Sequence, residues 1–194
     1  MKYIIAFTVL FSLFGFAGDS KYLNIGDQAP YFTVKNYDGK EYELKKVLSG
    51  NKLAVLMFIS TECPVSNAYN ERMEKLHESY SKKGVAFIGI NSNKQEDVKM
   101  IAAHAKDHGF KFPVLKDEQN KVADLYAAQV TPETFVLDPM GKLLYHGRID
   151  DNRNAGKVTS NDLADALDKL LTGKELTLTT PRAFGCSIKR IIVN

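Results

Sequence analysis

Two cysteines offer the clearest covalent chemistry in this sequence: Cys63 in STECPVSN, residues 60–67, and Cys186 in RAFGCSIKR, residues 182–190. The thiolate is the nucleophilic form of cysteine, and unpaired backbone N–H groups at a helix start stabilise it. Cys63 follows an apolar run and precedes Pro64, which suits the first turn of a helix, so a strand-to-helix turn is expected there. Three residues on, where a second cysteine would close a local disulfide, stands Ser66. Two roles are open to its hydroxyl: it donates a hydrogen bond to the thiolate, or Ser66 is simply a polar residue early in the helix. A second thiol must then come from Cys186, from a partner or from a small molecule. Three readings of the pair stay open. Cys186 resolves a mixed disulfide or sulfenic acid on Cys63, or it forms a fixed bridge that staples the tail, or the two thiols act independently.

Other constellations are weaker. His104 and His108 stand four apart on an expected helix without a cysteine or carboxylate set beside them, so no metal site is expected. His77 and His146 are isolated. The chain has no glycine-rich phosphate loop, nucleotide fingerprint or serine-hydrolase elbow, and no cofactor is expected.

The elements that must position Cys63 follow from hydrophobic periodicity. Alternation on either side of Asp38-Gly39 predicts a leading β-hairpin. LAVLMFIS (53–60) and VAFIGI (85–90) are nearly continuous apolar runs, as in central parallel strands covered on both faces. Between them Val65, Ala68, Met73, Leu76 and Tyr80 predict one helix that begins at Pro64 and stops at Gly84, giving a βαβ unit. A second helix is predicted from about Gln95 to His108, with Val98, Ile101, Ala102 and Ala105 inward. A short strand in FKFPVLKD and a short helix at Val122 to Ala127 follow. TFVLD and LLYHGRI read as strands joined by the turn PMGK. The last helix carries Leu163, Ala166, Leu167 and Leu170 on one face, behind caps at Ser160 or Asn161, and ends at Gly173.

The whole chain bounds these readings. Its 194 residues are 44% hydrophobic and 25% charged, which suits one compact domain. The formal net charge of +3 is interspersed with acidic residues and excludes a basic stripe for nucleic acid. Residues 1–17, MKYIIAFTVLFSLFGFA, have the pattern of a secretory signal peptide with cleavage after Ala17. They are short for a membrane span, which needs about 20 apolar residues, so no stable span is expected after cleavage. The organisation expected is thus a signal at 1–17, a domain at 18–172 and a tail at 173–194. A periplasmic or secreted location would permit a disulfide.

With those elements in place, the sequence resembles the thioredoxin-like superfamily, in its redoxin group of AhpC/TSA and peroxiredoxin-like proteins. The resemblance spans roughly residues 25–172. It rests on IGDQAPYFTV, on DGK at 38–40, on FISTECPVSN at 58–67 and on VTPETFVLDPMGKLLYHGRID at 130–150. It implies an α/β thioredoxin-like fold, with a central mixed β-sheet flanked by helices, an N-terminal β-hairpin and a C-terminal tail. It also implies that Thr131-Pro132 is a cis-proline segment facing Cys63, where the Thr131 backbone pairs with an extended substrate. Ser60 matches the residue that peroxiredoxins place three before their cysteine. Several departures matter: Ser66 replaces the second thioredoxin cysteine, Met57 stands where a buried acid is often found, and Leu56 replaces a supporting proline. Asn67 replaces the further cysteine of copper chaperones, and no arginine falls near Pro132. Arg148 in the next strand reads as a surface ion pair.

The function expected is an exported thiol-disulfide oxidoreductase. Cys63 is its nucleophile, Cys186 its resolving thiol, Thr131 and Pro132 its substrate surface, and Ser60, Pro64 and Ser66 its supports. Its partners would be protein thiols or disulfides and an external thiol reductant. A thiol peroxidase acting on a hydroperoxide, and a non-catalytic peptide-binding module, are the alternatives.

Overall fold

A computed structural model describes residues 23–191; the signal peptide expected at residues 1–17 lies outside the described residues. The leading hairpin pairs β1 (Thr33–Lys35) with β2 (Glu41–Glu43) in antiparallel fashion, and α1 (Leu44–Ser49) follows directly. The central sheet then assembles from β3 (Leu53–Phe58), β4 (Val85–Asn91), β5 (Val114–Lys116), β7 (Glu133–Leu137) and β8 (Leu143–Gly147). Its order is β5-β4-β3-β7-β8, with β3, β4 and β5 parallel and β7 and β8 antiparallel to their neighbours. This is the mixed sheet of a thioredoxin-like fold, with β3 at its centre.

Every residue of β3 is buried, which accounts for its continuous apolar run. Alternate side chains divide between two cores. Val55 and Met57 join Met73 of α3 (Asn70–Tyr80), Ile101 and Ala105 of α4 (Val98–Asp107), and Leu163 and Leu167 of α6 (Asp162–Leu171). Ala54, Leu56 and Phe58 face Leu44 and Leu48 of α1 and Ala123 of α5 (Lys121–Leu125). Each large apolar side chain fully buried contributes roughly 1.5–3 kcal/mol, so these two layers fix the strand whose end carries the cysteine turn.

Three details depart from the sequence reading. The helix after Cys63 is broken into α2 (Pro64–Asn67) and α3 by a tight turn at Ala68 and Tyr69, where Tyr69 N–H bonds the Ser66 carbonyl at 2.9 Å. The break sinks Tyr69, whose hydroxyl donates to Asp150 at 3.0 Å and whose ring lies under the Arg72 guanidinium. Ala68 is therefore exposed and not part of the inward stripe. The helix predicted from Gln95 starts at Val98 instead, because Asp97 caps it by accepting from Met100 N–H. Val98 is consequently on its open side. Gly84 stops the preceding helical run in the left-handed conformation, at φ +90.

Residues beyond α6 are not a loose appendage. His146 N–H of β8 bonds the Thr179 carbonyl, and Arg148 N–H bonds the Pro181 carbonyl. The chain then crosses to form β9 (Cys186–Ser187) against β6 (Val130–Thr131).

Candidate active site

β3 ends at Phe58, and a short turn delivers Cys63 to the N-cap of α2. Ser60 organises that turn: its Oγ accepts from Cys63 N–H at 2.9 Å and from Glu62 N–H at 3.2 Å. Ser66 N–H points at Cys63 Sγ from 3.3 Å. Of the two roles open to it, the Ser66 hydroxyl does not take that of donor to the sulfur. It is wholly buried on the inner side of the turn, where it accepts from Ser60 N–H at 3.1 Å. Because α2 has only four residues, its macrodipole is slight, and the Ser66 amide is the group that favours negative charge on sulfur.

Opposite the turn, the Thr131-Pro132 peptide bond is cis, and both residues are buried. The Thr131 carbonyl oxygen lies 3.4 Å from Cys63 Sγ. The edge of Thr131 is already filled, however, by the chain's own tail. β9 runs antiparallel to β6 with Cys186 opposite Thr131 and Ser187 opposite Val130. Cys63 and Cys186 are joined by a disulfide, with their Cα atoms 5.9 Å apart and a separation of 123 in sequence.

Gly185 makes this crossing passable. A Cβ at Gly185 would run into the carbonyl of Thr131, a backbone group that cannot swing aside. Phe184 packs edge-on to Tyr69, with ring centroids 6.4 Å apart, so the helix break also supports the tail. Past Cys186, Ile188 is buried in the core on the α1 and α5 side, and its N–H bonds the Gln129 carbonyl. Lys189 N–H donates to Asn93 Oδ1 at 2.7 Å, and Ile191 N–H to Asn120 Oδ1 at 2.7 Å.

This geometry can be set beside known proteins. Residues 25–146 match the AhpC/TSA family. The chain belongs to the AhpC/TSA family. The thiol-disulfide oxidoreductase ResA of a Bacillus cereus strain is 30% identical over 168 residues, covering 86% of this chain and 91% of that protein. A crystal structure of a hypothetical protein from Sinorhizobium meliloti 1021 superposes with a TM-score of 0.82 at 32% identity, over 88% of this chain and 97% of that one. An uncharacterised conserved protein from Geobacillus kaustophilus gives a TM-score of 0.82 at 34% identity, over 88% and 94%.

For this AhpC/TSA chain, the sequence reading missed a buried acid. Met57 on β3 is an apolar core residue, yet Glu96 lies fully buried beside the cysteine turn. Its carboxylate accepts from Ser60 Oγ at 2.6 Å, Thr61 N–H at 2.6 Å, Thr61 Oγ1 at 2.8 Å, Asn91 Nδ2 at 2.6 Å and Asn93 Nδ2 at 2.9 Å. Burial pushes its pKa up, but the hydrogen bonds from Ser60, Thr61 and Asn91 outweigh this and hold it below the ordinary glutamate value. The sequence signal was the polar run NSN directly after an apolar strand, which reads as a loop until its amides are seen turned inward.

A second buried acid, Glu133, braces the segment before the cis proline. It accepts from Gln129 N–H at 2.6 Å and Val130 N–H at 3.1 Å, and contacts His146 Nε2 at 2.6 Å. Arg148 pairs with Asp162 at 2.6 Å; the ion pair expected of it forms, but with a buried partner and not at the surface. His104 and His108 lie with ring centroids 4.3 Å apart and planes tilted by 53°, and burial together with His108 lowers the His104 pKa. Among the described residues, no cluster of three or more metal-ligating side chains occurs, and no helix is long and apolar enough to cross a membrane.

Proposed function

We propose that this protein is a thiol-disulfide oxidoreductase whose working couple is Cys63 and Cys186, acting outside the cytoplasm on protein thiols or disulfides. The single observation that carries this reading is the joining of the two cysteines beside the cis-proline turn. In the reduced form, the Cys63 thiolate attacks one sulfur of a substrate disulfide. A Cys63–substrate disulfide forms and the other substrate sulfur leaves as a thiolate. The Cys186 thiolate then attacks Cys63 Sγ, closing the internal disulfide and expelling the second substrate thiolate. The substrate has gained two electrons and the cysteine pair has lost them. An external thiol reductant reopens the bond, and the same steps reversed would oxidise a substrate dithiol.

The roles of the two cysteines differ. Cys63 takes the attack because Ser66 N–H steadies its charge and the turn fixes its direction. Cys186, half exposed on a short strand, acts as resolver. Cys186 and Ser187 occupy the strand edge at Thr131 in the oxidised form, so an extended partner pairs there only once that short strand withdraws, with Pro132 as the wall behind it. The signal-like first seventeen residues support export. A peroxidase is the weaker reading, since Arg148, the arginine nearest in sequence to the cis-proline segment, is engaged with Asp162.

The test is trapping. Purified protein carrying Cys186→Ser, given a disulfide-bonded protein substrate, is expected to accumulate a Cys63 mixed disulfide, while Cys63→Ser accumulates none. Exchange at the parental rate by Cys63→Ser would overturn the assignment.

A further inference from the structure

Buried carboxylates are costly unless their charge is met, and Glu96 is met entirely by neutral donors. Ser60 and Thr61 belong to the Cys63 turn, while Asn91 and Asn93 lie at or just past the end of β4, where Asn93 also holds the Cys186 tail. On one side, Ser60 Oγ donates to Glu96 and in turn accepts Cys63 N–H. On the other side, Asn93 Nδ2 donates to Glu96 while Asn93 Oδ1 accepts Lys189 N–H, three residues beyond Cys186. Lys94 N–H also bonds the Lys189 carbonyl at 2.9 Å, so the tail is gripped at both backbone groups of one residue. One carboxylate thus terminates two short chains of hydrogen bonds, each ending at the backbone of a segment that carries a thiol.

We propose that Glu96 is a positioning residue for the redox couple, holding Cys63 and the Cys186 segment at closing distance through Ser60 and Asn93. This rests on the reading of Cys63 and Cys186 as the working pair. Ionised Glu96 orients the Ser60 hydroxyl and leaves its lone pairs free for Cys63 N–H. It likewise fixes which face of the Asn93 amide points at the tail. A glutamine at the same place would bring an NH2 group to face these donors, so at least one link would break. Closure of the internal disulfide is the step that suffers, because it alone needs both segments placed together.

The experiment uses the full mature chain in glutathione buffers at fixed pH. Three quantities are read: the rate at which Cys63 attacks glutathione disulfide, the rate at which Cys186 then closes on Cys63 and releases glutathione, and the equilibrium constant of the pair against glutathione. Glu96→Gln is expected to lower that constant about tenfold, equivalent to about 30 mV for a two-electron couple. A residue that stabilised the oxidised and reduced forms equally would leave the constant unmoved. Asn93→Ala cuts only the tail branch. It is expected to slow closure several-fold with the Cys63 attack unchanged, and it carries the test if Glu96→Gln does not fold. A parental constant in Glu96→Gln, or parental closure in Asn93→Ala, overturns the inference. Parent protein that fails to exchange with glutathione disulfide at all would overturn the redox reading itself, and so is told apart from failure of the Glu96 assignment.

Discussion

The segment around Cys63 and the segment around Cys186 meet at one bond but are held in different ways. The Cys63 turn is made mainly of local bonds between residues 60 and 67, with longer links to Glu96, from Gln95 to Glu62 and to the Thr131 carbonyl. The Cys186 strand has two residues, and its place is set by partners far away in sequence, among them Gln129, Asn93 and Asn120. Cys63 is almost wholly buried, whereas Cys186 is half exposed and Gly185 and Ser187 are open. A nucleophile profits from a rigid local turn. In the resolving role proposed for Cys186, the thiol must leave and return, and anchors on either side of a short crossing permit that.

Breaking the bond between the two segments should have the largest effect. The disulfide closes a loop with a sequence separation of 123 residues, and the chain-entropy model assigns such a loop about 5 kcal/mol. Denaturant titration of reduced and oxidised protein is expected to differ by a substantial part of that. Equal midpoints would mean that the tail docks as well without its bond. Next comes Ile188→Ala, which empties a buried site at the tail's anchor and is expected to cost about 3 kcal/mol. The loss should appear in global unfolding and as faster hydrogen exchange at Lys189. Gly185→Ala should cost about 2 kcal/mol by pushing β9 off the Thr131 carbonyl, with slower closure of the disulfide and unchanged attack by Cys63.

A smaller effect follows from pH. The folded-state pKa of Glu96 is depressed, so its contribution to stability is complete above the ordinary glutamate value of 4.5 and is lost as pH falls through the lower folded value. Acid titration of stability is expected to flatten in Glu96→Gln over that range. Smallest is Arg190→Ala. Its pairing with Asp124 is exposed, and about 1 kcal/mol or less is expected from thermal unfolding.

The same contrast decides what could be read in advance. The Cys63 turn was legible because its determinants are contiguous: an all-apolar strand, a cysteine, then Pro64. The cis Thr131-Pro132 segment came from a family pattern and not from the dipeptide itself. Sequence left the Cys63–Cys186 pairing undecided, because nothing local in RAFGCSIKR reports that Ile188 is buried or that Asn93 holds Lys189. Glu96 was missed for a related reason. An acid between Gln95 and Asp97 looks like a solvated face, and only its five donors show otherwise. The broken helix at Tyr69 was hidden by a periodicity that runs on through the break.

The pairing of β9 with β6 also bears on how the molecule behaves among its own copies. A strand edge with free N–H and C=O groups is a template for addition of a strand from a neighbouring chain. Here the edge at Val130 and Thr131 is capped by residues 186 and 187 of the same chain. Ile188, Lys189 and Ile191 keep that cap tethered by contacts that do not depend on the disulfide. If the bond opens in the proposed cycle, the vacated edge faces its own tail at far higher local concentration than any neighbour, and self-association is outcompeted at that moment.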